Sequence, residues 1–333
     1  MDELSESPIT TAAEETASPD KATAADIYYC YRLLLMREPA PEDVLYWCER
    51  VEAEQLTYAR LAAYFRQSRE YVIGRKARGI TLLTLDDFEL YVQEHDWDIG
   101  ENLIETKLYE PHVTAFLRQL LKEGMTFVDV GANVGYFTLT AAAKVGKSGK
   151  VTAVECNPRN VELIYMSLHR NGFDRVTVYP FAVGDTQKFM SFSWGFSNGF
   201  VDELAKDDEE AFIVQAVTLD SLLRNEPRVD VIKIDIEGSE AKAWEGMQET
   251  IAWHYPVVLM EFFPALLERV SGVKGDDFLN TVFARGYSAG VLRRNQEMVI
   301  TRSTSEVIAE WEKERDLVGD VAKTYLDLVF IPQ

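Results

Sequence analysis

Cysteine is scarce in this chain of 333 residues: Cys30, Cys48 and Cys156 are an odd set with no CxxC spacing. A disulfide framework and a zinc site are therefore not expected, and no metal is assigned. Each cysteine reads as a small buried apolar residue, and a reducing compartment, the cytoplasm, is the expected location. Positive charge is short as well. Lys and Arg number 34 against 55 Asp and Glu, a formal net charge of -21. Nucleic-acid phosphates and anionic membrane surfaces both want Lys and Arg, so neither is an expected partner. No run approaches the ~18 apolar residues of a membrane span. The first residues lack the basic and apolar regions of a secretory signal. Residues 1–22 carry acids with Ala, Ser, Thr and Pro but almost no large apolar groups, which predicts a disordered acidic tail.

Apolar residues are plentiful, at 47%, enough for one large domain or for a large and a small one. Residues 23–78 read as a small helical domain. Ile27, Tyr28, Tyr31, Leu34 and Leu35 recur at helical spacing, Pro39 and Pro41 stop that helix, and Glu42 and Asp43 open the next. The stretch "TYARLAAYFRQSREYV" supplies a third helix. No polar cluster suggests chemistry there, so packing, docking or self-association is the expected role.

Residues 79–333 alternate short runs rich in Val, Ile and Phe with amphipathic helices. The runs fall at 125–130, 150–155, 176–183, 229–236 and 256–263. That pattern predicts a mostly parallel sheet covered by helices on both faces. Asn157 is placed to cap the helix after the second run, Pro158 suits its first turn, and Val161, Ile164, Tyr165 and Leu168 make one face. "QKFMSFSW" and "AFIVQAVTL" read as two strands around a loop. In that loop Trp194, Phe196, Asn198 and Phe200 suit either a lid over a sugar ring or a hairpin tip. The chain ends as helix, strand, helix, strand.

The run "FVDVGANVGYFTL" is strand, tight turn and helix. Gly131 and Gly135 let the backbone turn and approach a ligand, and the helix start offers free N–H groups to an anion. A dinucleotide fingerprint would need glycine where Asn133 and Tyr136 stand, so a nicotinamide oxidoreductase is disfavoured. Asp129, just before the turn, would repel a pyrophosphate and suits a ligand with ammonium or sulfonium groups, as in S-adenosylmethionine. Glu155 ends the next strand, where an acid can accept hydrogen bonds from ribose hydroxyls.

"VIKIDIEGSE" places charges in a core strand. Lys233, Asp235 and Glu237 would share one face at its carboxyl end. They read either as a site or as a Lys233–Asp235 pair that only fixes the strand end. Ser239 is placed to cap the next helix, where Trp244 and Met247 read as core. Glu261 closes the neighbouring strand, near enough for the carboxylates to raise one another's pKa and act as bases. It also fits a plain helix-capping acid. Asp235 is the first choice of base, then Glu237 and Glu261. His112 and His254 are the nearest histidines, and His254 lies at the wrong end of its strand.

Together "YEPHVTAFLRQLLKEGMTFVDVGANVGYFTL", "VTAVECNP", "FAVGD", "VTLDSLL" and "VDVIKIDIEGSEAKAWEGM" resemble FkbM-type S-adenosylmethionine-dependent methyltransferases over about residues 100–265. The resemblance implies a class I (Rossmann-like) fold with a seven-stranded, mostly parallel sheet and one antiparallel strand. It implies methyl transfer to a hydroxyl oxygen of a glycan or hydroxylated small molecule. Asp129, Gly131, Asn133 and Gly135 match the cofactor loop, Glu155 the ribose acid, Ala182 a position beside the adenine, and Asp235 and Glu237 the motif beside the methyl group. "LLLMREPAPEDVLYWCERVEAEQLTYARLAAYFRQSREYV" resembles a small phycobilisome-linker-like helical domain of unknown function. The alternative is an interaction or scaffold protein that keeps the cofactor fold without methylating.

Overall fold

The computed structural model describes residues 21–333, except 36, 72–73, 75–78, 98, 195–198, 203–211 and 322–323, and except the side chains of 194, 200 and 202. The tail expected over 1–22 lies outside the described residues save for Lys21 and Ala22. So do the side chains expected to form a lid. The chain divides into two compact units, Met1–Ala77 and Arg78–Gln333.

In the first unit, α1 (Ala24–Tyr29) runs into a π-helical turn, Cys30–Leu34, and is followed by α2 (Pro41–Glu54) and α3 (Tyr58–Gln67). The Thr23 N–H donates to the Asp26 carboxylate and the Asp26 N–H donates back to the Thr23 hydroxyl oxygen, a capping box that fixes the start of α1. Regular helix ends well before Pro39, because the backbone widens at Cys30. Ile27, Leu56, Leu61 and Phe65 form a core. The Trp47 ring lies 4.8 Å from that of Phe65, and the Arg50 guanidinium caps Tyr64 at 4.3 Å.

The second unit opens with a hairpin of β1 (Ile80–Thr84) and β2 (Glu89–Gln93), then helices α4 (Gly100–Thr106) and α5 (Pro111–Leu120). The strand–helix alternation expected from residue 80 begins only afterwards. It runs β3 (Thr126–Val130), α6 (Tyr136–Val145), β4 (Lys150–Val154), α7 (Pro158–Asn171) and β5 (Val176–Tyr179). Four short strands follow, β6 (Ala182–Val183), β7 (Lys188–Trp194), β8 (Gly199–Asp202) and β9 (Phe212–Val217), then α8 (Leu219–Leu223). The chain continues through β10 (Val231–Ile234), α9 (Glu240–Glu245), α10 (Gln248–His254), β11 (Val257–Phe262), α11 (Pro264–Ser271) and α12 (Gly275–Ala284). It closes with β12 (Tyr287–Leu292), β13 (Met298–Thr301), α13 (Thr304–Val318) and β14 (Leu326–Pro332).

The main sheet has the order β13-β12-β14-β11-β10-β3-β4-β5. Strands β5, β4, β3, β10 and β11 pair in parallel, and β14 is antiparallel to both its neighbours. These seven strands with one reversed member are the expected sheet. An eighth, β13, extends its edge by pairing with β12. Its Met298, Val299 and Ile300 are exposed, so no buried alternation marks it in the sequence.

Every residue of β3 and β10 is buried, as central strands covered on both faces require. Trp244 and Met247 lie in the core cluster that also holds Phe278 and Phe330. The run 176–183 is two strands rather than one. Pro180 has no N–H to continue the ladder, and β6 leaves the main sheet to pair with β9 in a separate sheet, β6-β9-β7-β8. Asn157 caps α7 through the Arg159 N–H. Ile164 and Leu168 face inward, but Tyr165 is exposed and donates to the Val178 carbonyl.

Candidate active site

The carboxyl ends of the parallel strands open into a cavity of about 390 Å³, the place where ligands gather in open α/β sheets. One wall is the loop from β3 to α6. Gly131, Asn133 and Gly135 all take left-handed backbone angles, with φ of 78°, 49° and 91°. The loop lies hard against the end of β10: a Cβ on Gly131 would stand 1.8 Å from the Asp235 carbonyl oxygen. Glu155 holds the loop's tip. Its Oε2 accepts from the Asn133 N–H and its Oε1 from the Asn157 N–H, both at 2.7 Å. Burial pushes the Glu155 pKa up to about 7, against the pull of these hydrogen bonds. Asn160 steadies Asn133 from α7, side chain to side chain, at 3.3 Å.

Asp129 does not reach the cavity wall. It is fully buried, accepts from the Thr138 hydroxyl at 2.6 Å, and has its second oxygen unpartnered among the described residues. Burial raises its pKa, and the charge of Lys233, its register partner on β10, pulls it back. Lys233 is buried too. Its Nζ donates to Asp235 Oδ2 at 2.8 Å and sits 4.8 Å above the centre of the Phe137 ring. Burial would lower the lysine pKa, but Asp235, Asp129 and Glu110 together hold it above its ordinary value.

The three charges do not share a strand face. β10 ends at Ile234, and Glu237 stands in the following turn with φ of 53°. It still lines the cavity, as do Asp235 and Glu261. Ser239 does not cap the next helix. Glu240 instead ties down the turn before that helix, its carboxylate accepting from the Ile236 and Gly238 N–H groups at 3.0 and 3.2 Å. Glu261 comes from β11, and its pKa is driven well up by burial, then by Asp235, Glu237 and Glu240. Ala182 lies off the main wall, in a small side pocket that shares Gly131, Glu155 and Cys156 with it. His254 ends α10 and precedes β11, at the opposite end of that strand.

Sequence reasoning missed Tyr109, Glu110 and Tyr325, which also line the cavity. Glu110 has φ of 38° just before α5, and burial, reinforced by Asp327, pushes its pKa up to about 8. The available signal was an acid directly before Pro111, the first residue of a helix. Five carboxylates, Glu110, Glu155, Asp235, Glu237 and Glu261, thus face the cavity with one lysine. Such a wall suits a cationic ligand. Among the described residues no three of His, Cys, Asp and Glu are grouped to hold a metal, and no helix is long and apolar enough to cross a membrane.

Seven strands with one reversed, a glycine loop into the first helix and an acid ending the second strand make up the class I, Rossmann-like methyltransferase fold. Residues 129–288 match the Methyltransferase FkbM domain, so this part of the chain carries a domain of that family. Protein-L-isoaspartate O-methyltransferase of Methanococcoides burtonii is 41% identical over 70 residues, 20% of this chain and 34% of its own. Protein-L-isoaspartate O-methyltransferase 2 of Archaeoglobus fulgidus is 34% identical over 107 residues, 32% of this chain and 48% of its own. The chain thus spans a third to a half of the length of these curated relatives. A solved methyltransferase FkbM from Methylobacillus flagellatus covers 92% of this chain and 60% of its own, at 16% identity and a TM-score of 0.40.

Proposed function

We propose that the protein transfers the methyl group of S-adenosylmethionine to a hydroxyl oxygen, on a glycan or a hydroxylated small molecule. The observation that carries this reading is the acid-lined cavity closed on one side by the loop Gly131–Gly135. S-Adenosylmethionine brings a sulfonium whose methyl group is already activated. The chain's task is to hold it and to align an oxygen behind that methyl, the larger part of the work. Glu155 is assigned the ribose hydroxyls, since each of its oxygens retains an acceptor lone pair beside the N–H it binds. The loop and the start of α6 are assigned the donor's carboxylate. Asp235, Glu237 and Glu261 are assigned the positive charge around the methyl group, and Ala182 the edge of the adenine. Asp129 acts from behind, by its charge on Lys233. Oxygen as the acceptor atom is favoured by the curated relatives, which are named O-methyltransferases. The helical unit, with Tyr29, Leu45, Tyr46 and Tyr58 exposed, is read as a docking or self-association module.

The test is calorimetry with S-adenosylhomocysteine and with NAD, followed by a screen of glycans and hydroxylated small molecules with labelled donor. Binding of the first and not the second is expected. A protein that ignores S-adenosylhomocysteine defeats the reading.

A further inference from the structure

A second cavity, of about 440 Å³, adjoins the first, and Tyr325 lines both. At its inner end stand His112 and Asp327, each with a side chain only 11% exposed, joined from His112 Nε2 to Asp327 Oδ2 at 2.7 Å. Asp327 is the register partner of Glu261 across β11 and β14, so the pair sits where the two cavities meet. With its Nε2–H given to Asp327, the imidazole keeps Nδ1 as an acceptor. Among the described residues no hydrogen bond engages that atom. A base oriented by a third group is the arrangement that proton abstraction from a hydroxyl needs.

The carboxylates nearer the donor are less suited. Asp235 Oδ2 is taken by Lys233. Burial pushes the Glu110 pKa up to about 8, so it holds its proton near neutral pH, and Glu261 is assigned to the donor's positive charge. The outer wall points to the kind of acceptor. Arg293 and Lys313 both pair with Glu310 at 2.7 Å, and Arg294 approaches Glu314 at 3.6 Å. With Asp327 the cavity sets three carboxylates against Arg293, Arg294 and Lys313, so it holds both donors and acceptors for a polyhydroxylated, uncharged molecule and no surplus charge to draw an anion.

We propose that this second cavity receives the methyl acceptor, an uncharged sugar-like polyol, and that His112, held by Asp327, takes the proton of the hydroxyl that is methylated. The inference rests on the donor reading above. The O–H bond breaks and its proton passes to Nδ1. The oxygen's electron pair forms the bond to the methyl carbon, and the S–CH3 pair stays on sulfur as a thioether. The positive charge lost at sulfur reappears as an imidazolium beside the Asp327 carboxylate, so the step balances.

The test uses the full chain saturated with S-adenosylhomocysteine and the methyl glycosides of glucose, galactose and rhamnose, read by saturation-transfer NMR. Turnover with labelled S-adenosylmethionine is then measured on whichever glycoside binds. Leu317 lines the outer cavity and is largely exposed, so Leu317→Trp narrows the cavity without disturbing the core. Glycoside affinity should fall at least tenfold in that variant. His112→Gln should keep glycoside affinity within threefold and lose turnover by on the order of 100-fold. Any of four results overturns the proposal: no glycoside binds the wild type, the bound glycoside is not methylated, Leu317→Trp binds it unchanged, or His112→Gln retains full turnover. Calorimetry on the same samples separates the two readings. Failure of the wild type to bind S-adenosylhomocysteine defeats the donor reading, whereas its retention alongside any of those four results defeats only this one.

Discussion

Replacing Lys233 with methionine removes one charge from the centre of the main sheet and little else, since the unbranched side chain keeps most of the lysine stem. The ammonium it deletes is buried, 2.8 Å from Asp235 Oδ2 and beside Asp129 on the next strand. Asp129 is fully buried and has one oxygen already unpartnered among the described residues, so it has no exit to water. Removing one partner of a buried ion pair costs about 3–5 kcal/mol. The Asp235 side chain is 27% exposed and takes part of its compensation from solvent, so the lower end, about 3 kcal/mol, is expected. Urea unfolding followed by tryptophan fluorescence should show a reduced midpoint with an unchanged slope. The double variant Lys233→Met with Asp129→Asn should recover at least half of the loss, because asparagine still accepts from Thr138 without a buried charge. The deficit of the single variant should grow as pH rises. Burial raises Asp129's pKa, so protonation relieves it at low pH and ionisation exposes the cost above. A single variant within 1 kcal/mol of wild type, or a double variant no better than the single, would refute the view that these charges hold the strand end in place.

The whole protein should also respond to pH in the reverse of the usual carboxylate sense. Glu155 and Glu240 are pushed up to about 7 and Glu110 to about 8, so the native state binds more protons than the unfolded chain. Their contribution is full below the ordinary glutamate range and is lost as pH climbs through 7 and 8. The melting temperature should be higher at pH 6 than at pH 8, and Glu110→Gln should flatten the slope; a melting temperature that falls on acidification from 8 to 6 contradicts this. Gly131→Ala should weaken S-adenosylhomocysteine at least tenfold, because its Cβ would meet the Asp235 carbonyl at 1.8 Å. Gly172→Ala, at φ of 67° with open space around it, is the control and should show only the left-handed cost of about 1–2 kcal/mol. Glu155→Gln should lose about 1.5–3 kcal/mol of affinity for the same ligand, the worth of hydrogen bonds to a charged group; unchanged calorimetry would remove Glu155 from the donor site.

The parts of this fold that read directly from sequence are those set by local chemistry. Strands buried on both faces show as apolar runs, and Asn157-Pro158 marks the start of α7 by residue type alone. The glycine loop is visible because Gly131 and Gly135 each need a backbone angle or an approach that other residues resist. Where a feature depends on distant partners, the sequence says less. Glu110 joins Asp235 only because α5 packs against α6 beside the cavity, although the two acids are more than a hundred residues apart in the chain. Pro180 could have been read as the break between β5 and β6, since the missing N–H is a local fact. The end of β10 at Ile234 could not, because Glu237's turn is fixed by Glu240 reaching back to the Ile236 and Gly238 N–H groups. Strand β13 leaves almost no trace, since its side chains face solvent and only its ladder to β12 defines it.

The acidic wall of the main cavity gives the proposed reaction a consequence of its own. On that reading the donor arrives with a sulfonium charge and leaves as an uncharged thioether, while the carboxylates stay where they are. Those that are ionised then lose part of their hold once the methyl group has gone, so spent cofactor is told from fresh donor by charge rather than by shape.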